Sequence, residues 1–258
     1  INRLSAWGSR TAPVSNWIAS NPIGKLMAQM TLGVHPKRKA PTFVRQTFKK
    51  WFRARPNPPE SSFAKGGPNA ASVAATRTVV LLNDTYMNYN YPETGKAAVA
   101  LLEAAGFKVV LSETQCCGRP MISKGLLDKA TANAISNVNQ LYAYAERGIP
   151  VIGCEPSCLL TFRDEYPELV RNEKSRKLAE NSFMIDEFLV KLQEEGKLEL
   201  NMGKLEKKVL FQAHCHQKAD MGTATTLAAL RLAPGYQVEL VNAGCCGMAG
   251  SFGFEKEH

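Results

Sequence analysis

Two Cys-Cys-Gly tripeptides, Cys116–Gly118 and Cys245–Gly247, each close a stretch that reads strand, helix, strand. In the first stretch Thr78–Leu82 (TVVLL) predicts a buried strand, Glu93–Ala105 a helix stopped by Gly106, and Lys108–Leu111 a second strand. In the second, Lys208–Gln212 and Gln237–Val241 predict strands around a helix at Thr223–Leu232. Repetition of a whole supersecondary unit down to its terminal tripeptide is an internal repeat. It constrains the chain to the α/β class, with two similar lobes related by a pseudo-twofold axis, each built on a small parallel sheet. Between the two units, Leu126–Ala145 has helical spacing through Leu127, Ala130, Ala134, Val138 and Leu141. Ile149–Gly153 predicts a third strand of the first lobe, and helices are expected at Leu159–Asp164 and Met184–Leu192.

Loops at the carboxyl ends of parallel strands are where such sheets bind ligands. Cys116, Cys117, Cys154, Cys215, Cys245 and Cys246 all follow expected strands, and Cys158 comes four residues after Cys154. In a helix Cys154 and Cys158 would share a face. The cysteines are odd in number, include two adjacent pairs, and come without a visible secretion signal, so metal ligation is a better reading than a disulfide framework. Thiolates are soft ligands suited to iron–sulfur clusters, zinc or copper(I). The first lobe offers Cys116, Cys117, Cys154 and Cys158; the second offers Cys215, Cys245 and Cys246. Cys154 is read equally as a ligand or as a core residue. Gly118 and Gly247 would let the backbone turn sharply beside a bulky group. His214 and His216 flank Cys215, as ligands or tuners of a metal group, or as hydrogen-bonding and packing residues of that loop. Asp84 precedes Cys116 by 32 residues and Cys215 precedes Cys245 by 30, so the first unit carries Asn83, Asp84 and Thr85 where the second carries a cysteine.

The net charge of +9 is concentrated at the front, where residues 1–77 hold 13 Lys/Arg and one acid, Glu60. Prolines punctuate this leader, short helices are expected at Asn16–Met30 and Thr42–Arg53, and Lys65–Thr76 has linker composition. The expected division is a leader at 1–77, a first lobe at 78–205 and a second lobe at 206–258. Trp51, Phe52 and Phe48 among basic residues suit a nucleic-acid or anionic membrane surface. Anchoring the leader onto its own protein is the favoured reading. No apolar run is long enough to span a bilayer. The start at Ile1 and the end at His258 read as cuts through a longer protein. Arg163–Pro167 reads as a helix-end ion pair and cap, and Lys96, Lys124 and Lys218 as surface charges. Neither a GxGxxG nor a GxxxxGK pattern supports a nucleotide site.

The stretches ETQCCGRPMISKGLLDKA, IPVIGCEPSCLLTFRDEYPEL, FQAHCHQKA and NAGCCGMAGSFGFEKEH resemble the CCG-type cysteine-rich domain, from about residue 78 to the end. That domain occurs in a subunit of heterodisulfide reductase and in iron–sulfur subunits of glycolate oxidase and anaerobic glycerol-3-phosphate dehydrogenase. It also closes large fused proteins in which an FAD-linked oxidase domain precedes a ferredoxin-like segment. The family pattern in each lobe is a cysteine, then CCG, then CxxC. Here the leading cysteine of the first lobe is absent, Glu155 stands where the first cysteine of CxxC would be, and the second lobe ends before its CxxC.

The resemblance implies Rossmann-like lobes that hold iron–sulfur clusters through the seven cysteines. A 4Fe-4S cluster, a non-cubane one, or zinc in one lobe all remain open. It implies an electron-transfer segment, not itself catalytic, of a cytoplasmic flavin-linked D-2-hydroxy acid dehydrogenase (lactate, glycolate or 2-hydroxyglutarate type). FAD and ferredoxin-type clusters would lie in the missing portion. The acceptor would be a quinone or carrier protein, with contact at the inner face of the membrane and no nucleic-acid partner. The alternatives are a zinc-stabilised interaction domain, or a thiol–disulfide enzyme, which the lack of any CxxC disfavours.

Overall fold

The computed structural model describes residues 2–56, 77–244, 247 and 252–256. Cys245, Cys246 and the linker expected at Lys65–Thr76 lie outside the described residues. The fold is mixed α/β with two parallel sheets, as the repeat predicts.

The first sheet has strands β1 (Thr78–Leu81), β2 (Lys108–Leu111), β3 (Val151–Gly153) and β4 (Ser182–Met184), in the order β2-β1-β3-β4. Thr78 pairs with Lys108 and Leu81 with Leu111 across β1 and β2, while Val151 pairs with Ser182 across β3 and β4. β1 is buried along its whole length, because helices cover both faces of the sheet and its Thr-Val-Val-Leu run is β-branched or aliphatic throughout. β4 is an addition to the sequence reading, which assigns Met184 to a helix.

α5 (Thr85–Tyr89) and α6 (Pro92–Ala104) link β1 to β2, and α7 (Arg119–Ile122) and α8 (Leu127–Ala145) link β2 to β3. α9 (Pro156–Arg163), α10 (Glu165–Val170) and α11 (Glu173–Glu180) link β3 to β4, and α12 (Ile185–Glu194) follows. On one face of the sheet Val80, Ala134, Val138, Leu141, Leu159, Phe162 and Tyr166 form a closed core. On the other, Val79, Leu81, Val99, Leu102, Phe107, Ile152 and Phe188 form a second. The chain leaves β1 for β2 on one side and returns to β3 on the other. The crevice at their carboxyl ends is therefore the switch point where open parallel sheets bind ligands.

The second sheet pairs β5 (Lys207–Phe211) with β6 (Tyr236–Leu240) in parallel, Lys207 against Tyr236 and Phe211 against Leu240. α13 (Cys215–Asp220) and α14 (Ala224–Arg231) lie between them. The repeat is kept in register: Cys116 follows the end of β2 by five residues, and Cys245 follows the end of β6 by five. Unlike β1, β5 and β6 are largely exposed among the described residues, with Leu210 at 63% and Leu240 at 42%.

The leader is helical but more broken than its periodicity suggests. α1 (Asn2–Arg10), α2 (Val14–Ser20), α3 (Pro22–Leu32) and α4 (Phe48–Arg53) replace the two expected helices. The segment expected at Asn16–Met30 breaks at Asn21, which is extended ahead of Pro22 and caps α3 through Gly24 N–H. In the other, residues 42–47 are non-helical and Thr47 caps α4. The extended residues pair instead: Asn16 exchanges two hydrogen bonds with the Phe43 backbone, and Val44 N–H donates to the Tyr89 carbonyl.

Phe48 and Phe52 are buried in the second core cluster, and Lys49 and Arg53 pair with Glu113. A Cβ on Gly95 would sit 2.7 Å from the Phe48 ring, so the close approach of α6 to α4 requires glycine there. These aromatics do anchor the leader onto its own protein. No helix among the described residues is long and apolar enough to cross a membrane.

Candidate functional site

The carboxyl ends of β1, β2 and β3 bring Asp84, the Cys116–Cys117 pair and Cys158 to one small cavity, partly open to solvent. Cys117 Sγ lies 3.4 Å from Cys158 Sγ, a contact between free thiols and not a disulfide. Cys117 is buried, and Cys116 and Cys158 are half-buried. Thr85 also lines the cavity.

The Cys-Cys-Gly loop is held by side chains from the helices behind it. Gln115 N–H donates to Asn137 Oδ1 (2.8 Å), and Asn133 Nδ2 donates to the Cys116 carbonyl (3.1 Å). The fully buried Tyr166 hydroxyl donates to the Cys117 carbonyl (2.9 Å) and accepts from Asn137 Nδ2 (2.8 Å). Gly118 has φ +95°, a region that disfavours any residue with a Cβ, and it turns the chain into α7. That turn aims the Gly118 amide at Cys116 and the Arg119 amide at Cys117. Backbone donors of this kind stabilise anionic sulfur.

Without a cation the three thiols stay protonated. The Cys116 thiol is pushed well up, first by its hydrogen bond to Cys117 and then by burial. At Cys117 the bond with Cys116 favours the thiolate, but the bond to Cys158 and burial outweigh it. At Cys158 the bond with Cys117 likewise favours the thiolate, and burial and nearby acids outweigh it. A redox-active thiol needs a lowered pKa, so the thiol–disulfide alternative loses support here. Three soft donors, amides aimed at two of them and a glycine turn suit a metal–sulfur group. Asn83 Oδ1, also at this cavity, is buried without a hydrogen-bond partner among the described residues.

The other expected site residues lie elsewhere. Cys154 is not among the cavity-lining residues. α9 begins only at Pro156, with Glu155 as its N-cap, so the shared helical face expected for Cys154 and Cys158 does not form. Cys154 instead packs against the second core cluster, and burial pushes its thiol up to about 12. Cys215 is exposed at the start of α13. His214 Nδ1 accepts from His216 N–H (3.2 Å), which leaves Nε2 as the protonated nitrogen that faces Ser157 Oγ at 3.3 Å. His214 is thus a helix cap that joins α13 to α9. Burial, then Arg119, lowers the pKa of His216. Gly247 has φ +74°.

The Arg163–Pro167 run supplies ion pairs, as expected: Arg163 pairs with Glu187 (2.8 Å), and Glu165 pairs with Arg119. Asp164, Glu165 and His216 bring ligand-type atoms within 4.8 Å of one another, with the Arg119 guanidinium already seated on Glu165. Lys96 and Lys124 are surface ion-pair partners of Glu93 and Glu255. Sequence reasoning missed Tyr166 and Asn137. The signal for Asn137 was a polar residue on the apolar stripe of α8, between Ala134 and Leu141.

Comparison with known proteins adds independent findings. A family model described as "CCG: Cysteine-rich domain" matches residues 85–163. A subunit of the anaerobic glycerol-3-phosphate dehydrogenase of Escherichia coli (strain K12) is 33% identical over 255 residues, 96% of this chain and 59% of the relative. Lactate utilization protein A of Bacillus licheniformis is 32% identical over 167 residues, 61% of this chain and 67% of the relative. D-2-hydroxyglutarate dehydrogenase of Escherichia coli (strain K12) is 28% identical over 183 residues, 70% of this chain but 17% of the relative. The chain thus spans about three-fifths of the first of these relatives and a small part of the last. No solved structure matches.

Proposed function

Because this chain belongs to the CCG cysteine-rich family, and two of the relatives above are named as a dehydrogenase or a subunit of one, we propose that it is the iron–sulfur electron-transfer part of a flavin-linked dehydrogenase. The observation that carries this reading is the convergence of Cys116, Cys117 and Cys158 on one cavity at the switch point of the sheet. These three cysteines would hold an iron–sulfur cluster in the first lobe, and Cys215, Cys245 and Cys246 are the corresponding set of the second. A cluster of this type accepts and releases electrons singly. The chain's own contribution is to position the thiolates through Asn133, Asn137 and Tyr166 and to offset their charge with the amides of Gly118 and Arg119.

The donor in this reading is an FAD-linked oxidase domain acting through a ferredoxin-like segment, in the same or a separate chain. The substrate class is a D-2-hydroxy acid, to which the relatives' names add glycerol 3-phosphate. The acceptor is a quinone or carrier protein. The leader supports a peripheral contact with an anionic membrane surface. Residues 2–56 hold eleven Lys/Arg and no acid, and Leu4, Trp7, Trp17, Ile23 and Met30 are exposed. Flotation with anionic but not zwitterionic vesicles, abolished by salt, is the expected result for that contact.

The test of the main reading is the visible spectrum of protein purified without air. A brown chromophore bleached by dithionite and restored by an oxidised quinone analogue is expected. A colourless, zinc-loaded protein after growth with ample iron would instead favour the structural-metal alternative.

A further inference from the structure

Three thiolates fall one short of the four ligands that a four-iron cluster ordinarily takes from protein. We propose that Asp84 supplies the fourth, a carboxylate oxygen, so that the first-lobe centre is a three-cysteine, one-aspartate site with one chemically distinct iron. This rests on the iron–sulfur reading above.

Asp84 is the one carboxylate among the residues lining the cavity with Cys116, Cys117 and Cys158. It is 7% exposed, three residues beyond the end of β1. Carboxylates are rarely buried so deeply without a cationic partner. The charged group it senses most is Glu155, of its own sign. Its Oδ1 accepts the Met87 N–H at 2.9 Å, which caps α5 and fixes the side chain at the cavity. Capping alone does not call for a charge, since serine, threonine or asparagine serves as well.

The repeat explains why an oxygen donor stands here. In the second lobe Cys215 follows the end of β5 by four residues; in the first, the residue four beyond β1 is Thr85. The thiol is lost at that position, and the acid beside it faces the same space. Oxygen is a harder donor than thiolate and holds iron less firmly in a sulfur-rich cluster. The iron on Asp84 is therefore the one that leaves first and the one open to exchange.

The test uses the full chain carrying Cys245→Ser, which disables the second-lobe set, with Asp84→Asn, Asp84→Cys and Cys117→Ser added separately. Each is reconstituted without air from ferric iron, sulfide and a thiol reductant, and a portion of each is then oxidised with ferricyanide. Iron, sulfide and low-temperature EPR are then measured, with circular dichroism to show that the fold is retained. Asparagine keeps the helix cap. The parent and Asp84→Cys are expected to assemble four-iron clusters that become paramagnetic on reduction, with different spectra. Asp84→Asn is expected to stop one iron short, at a three-iron cluster that is paramagnetic in the ferricyanide-oxidised portion. Asp84→Asn with the parent's iron content and spectrum would overturn the proposal and leave Asp84 as a cap, while loss of iron from Cys117→Ser upheld the cluster reading. Cys117→Ser that also kept its iron would overturn both.

Discussion

Replacing Asp84 with asparagine in the metal-free protein should make it more stable at neutral pH, and the gain should fade in acid. Burial is the largest of the effects that lift the Asp84 carboxyl from 3.8 to about 6. Holding it ionised in the fold therefore costs about 3 kcal/mol at pH 7. The folded state binds the extra proton between the two values, so wild-type stability falls as pH rises through that window and levels off above it. Asparagine does not titrate and keeps the cap to Met87 N–H. The stability difference between variant and wild type should accordingly grow by about 2 kcal/mol between about pH 4.5 and about pH 7.5. Urea unfolding of both metal-free proteins at each pH measures it, from the midpoints and a common slope. A difference that stays flat with pH would refute the burial cost assigned to this carboxylate. A buried charge that destabilises the empty protein is what a ligand-binding role would retain.

Other expectations concern the residues around it. Tyr166→Phe removes the donor to the Cys117 carbonyl inside a closed core and should cost about 1–2 kcal/mol of stability by urea unfolding. Gly118→Ala forces a Cβ onto φ +95° and should cost a similar amount, about 1–2 kcal/mol. Phe48→Ala, which empties a fully buried site between leader and sheet, should cost about 3–5 kcal/mol. Cys116, Cys117 and Cys158 carry raised pKa values, so metal uptake must displace their protons. Affinity should then rise with pH, as a direct metal titration at two pH values would show.

β1 and β2 were legible as short β-branched or aliphatic runs, and the second-lobe pair through the repeat, since β2 and β6 each end five residues before a cysteine pair. β4 was not, since Ser182–Met184 runs directly into α12 and three residues show no period of their own. Asn21-Pro22 carries the signal for the broken leader helix, and Pro156 the signal that α9 begins after Cys154; in both, the proline outweighs the apolar spacing. The convergence of Cys116, Cys117 and Cys158 was legible as a set of strand ends. What was hidden is tertiary. The sheet order decides that Asp84 from β1 faces cysteines from β2 and β3, whereas Cys154 packs against the opposite core. The Tyr166 contact with the Cys117 carbonyl spans 49 residues, and no local pattern announces it.

The most direct test of the central claim is iron and acid-labile sulfide per chain after anaerobic purification, with EPR of the same samples, for wild type and for Cys117→Ser. Near-equal iron and sulfide with a dithionite-dependent signal are expected in wild type, and loss of the first-lobe share of both in Cys117→Ser. Stoichiometric zinc without sulfide, in protein supplied with iron and never exposed to air, would contradict that claim.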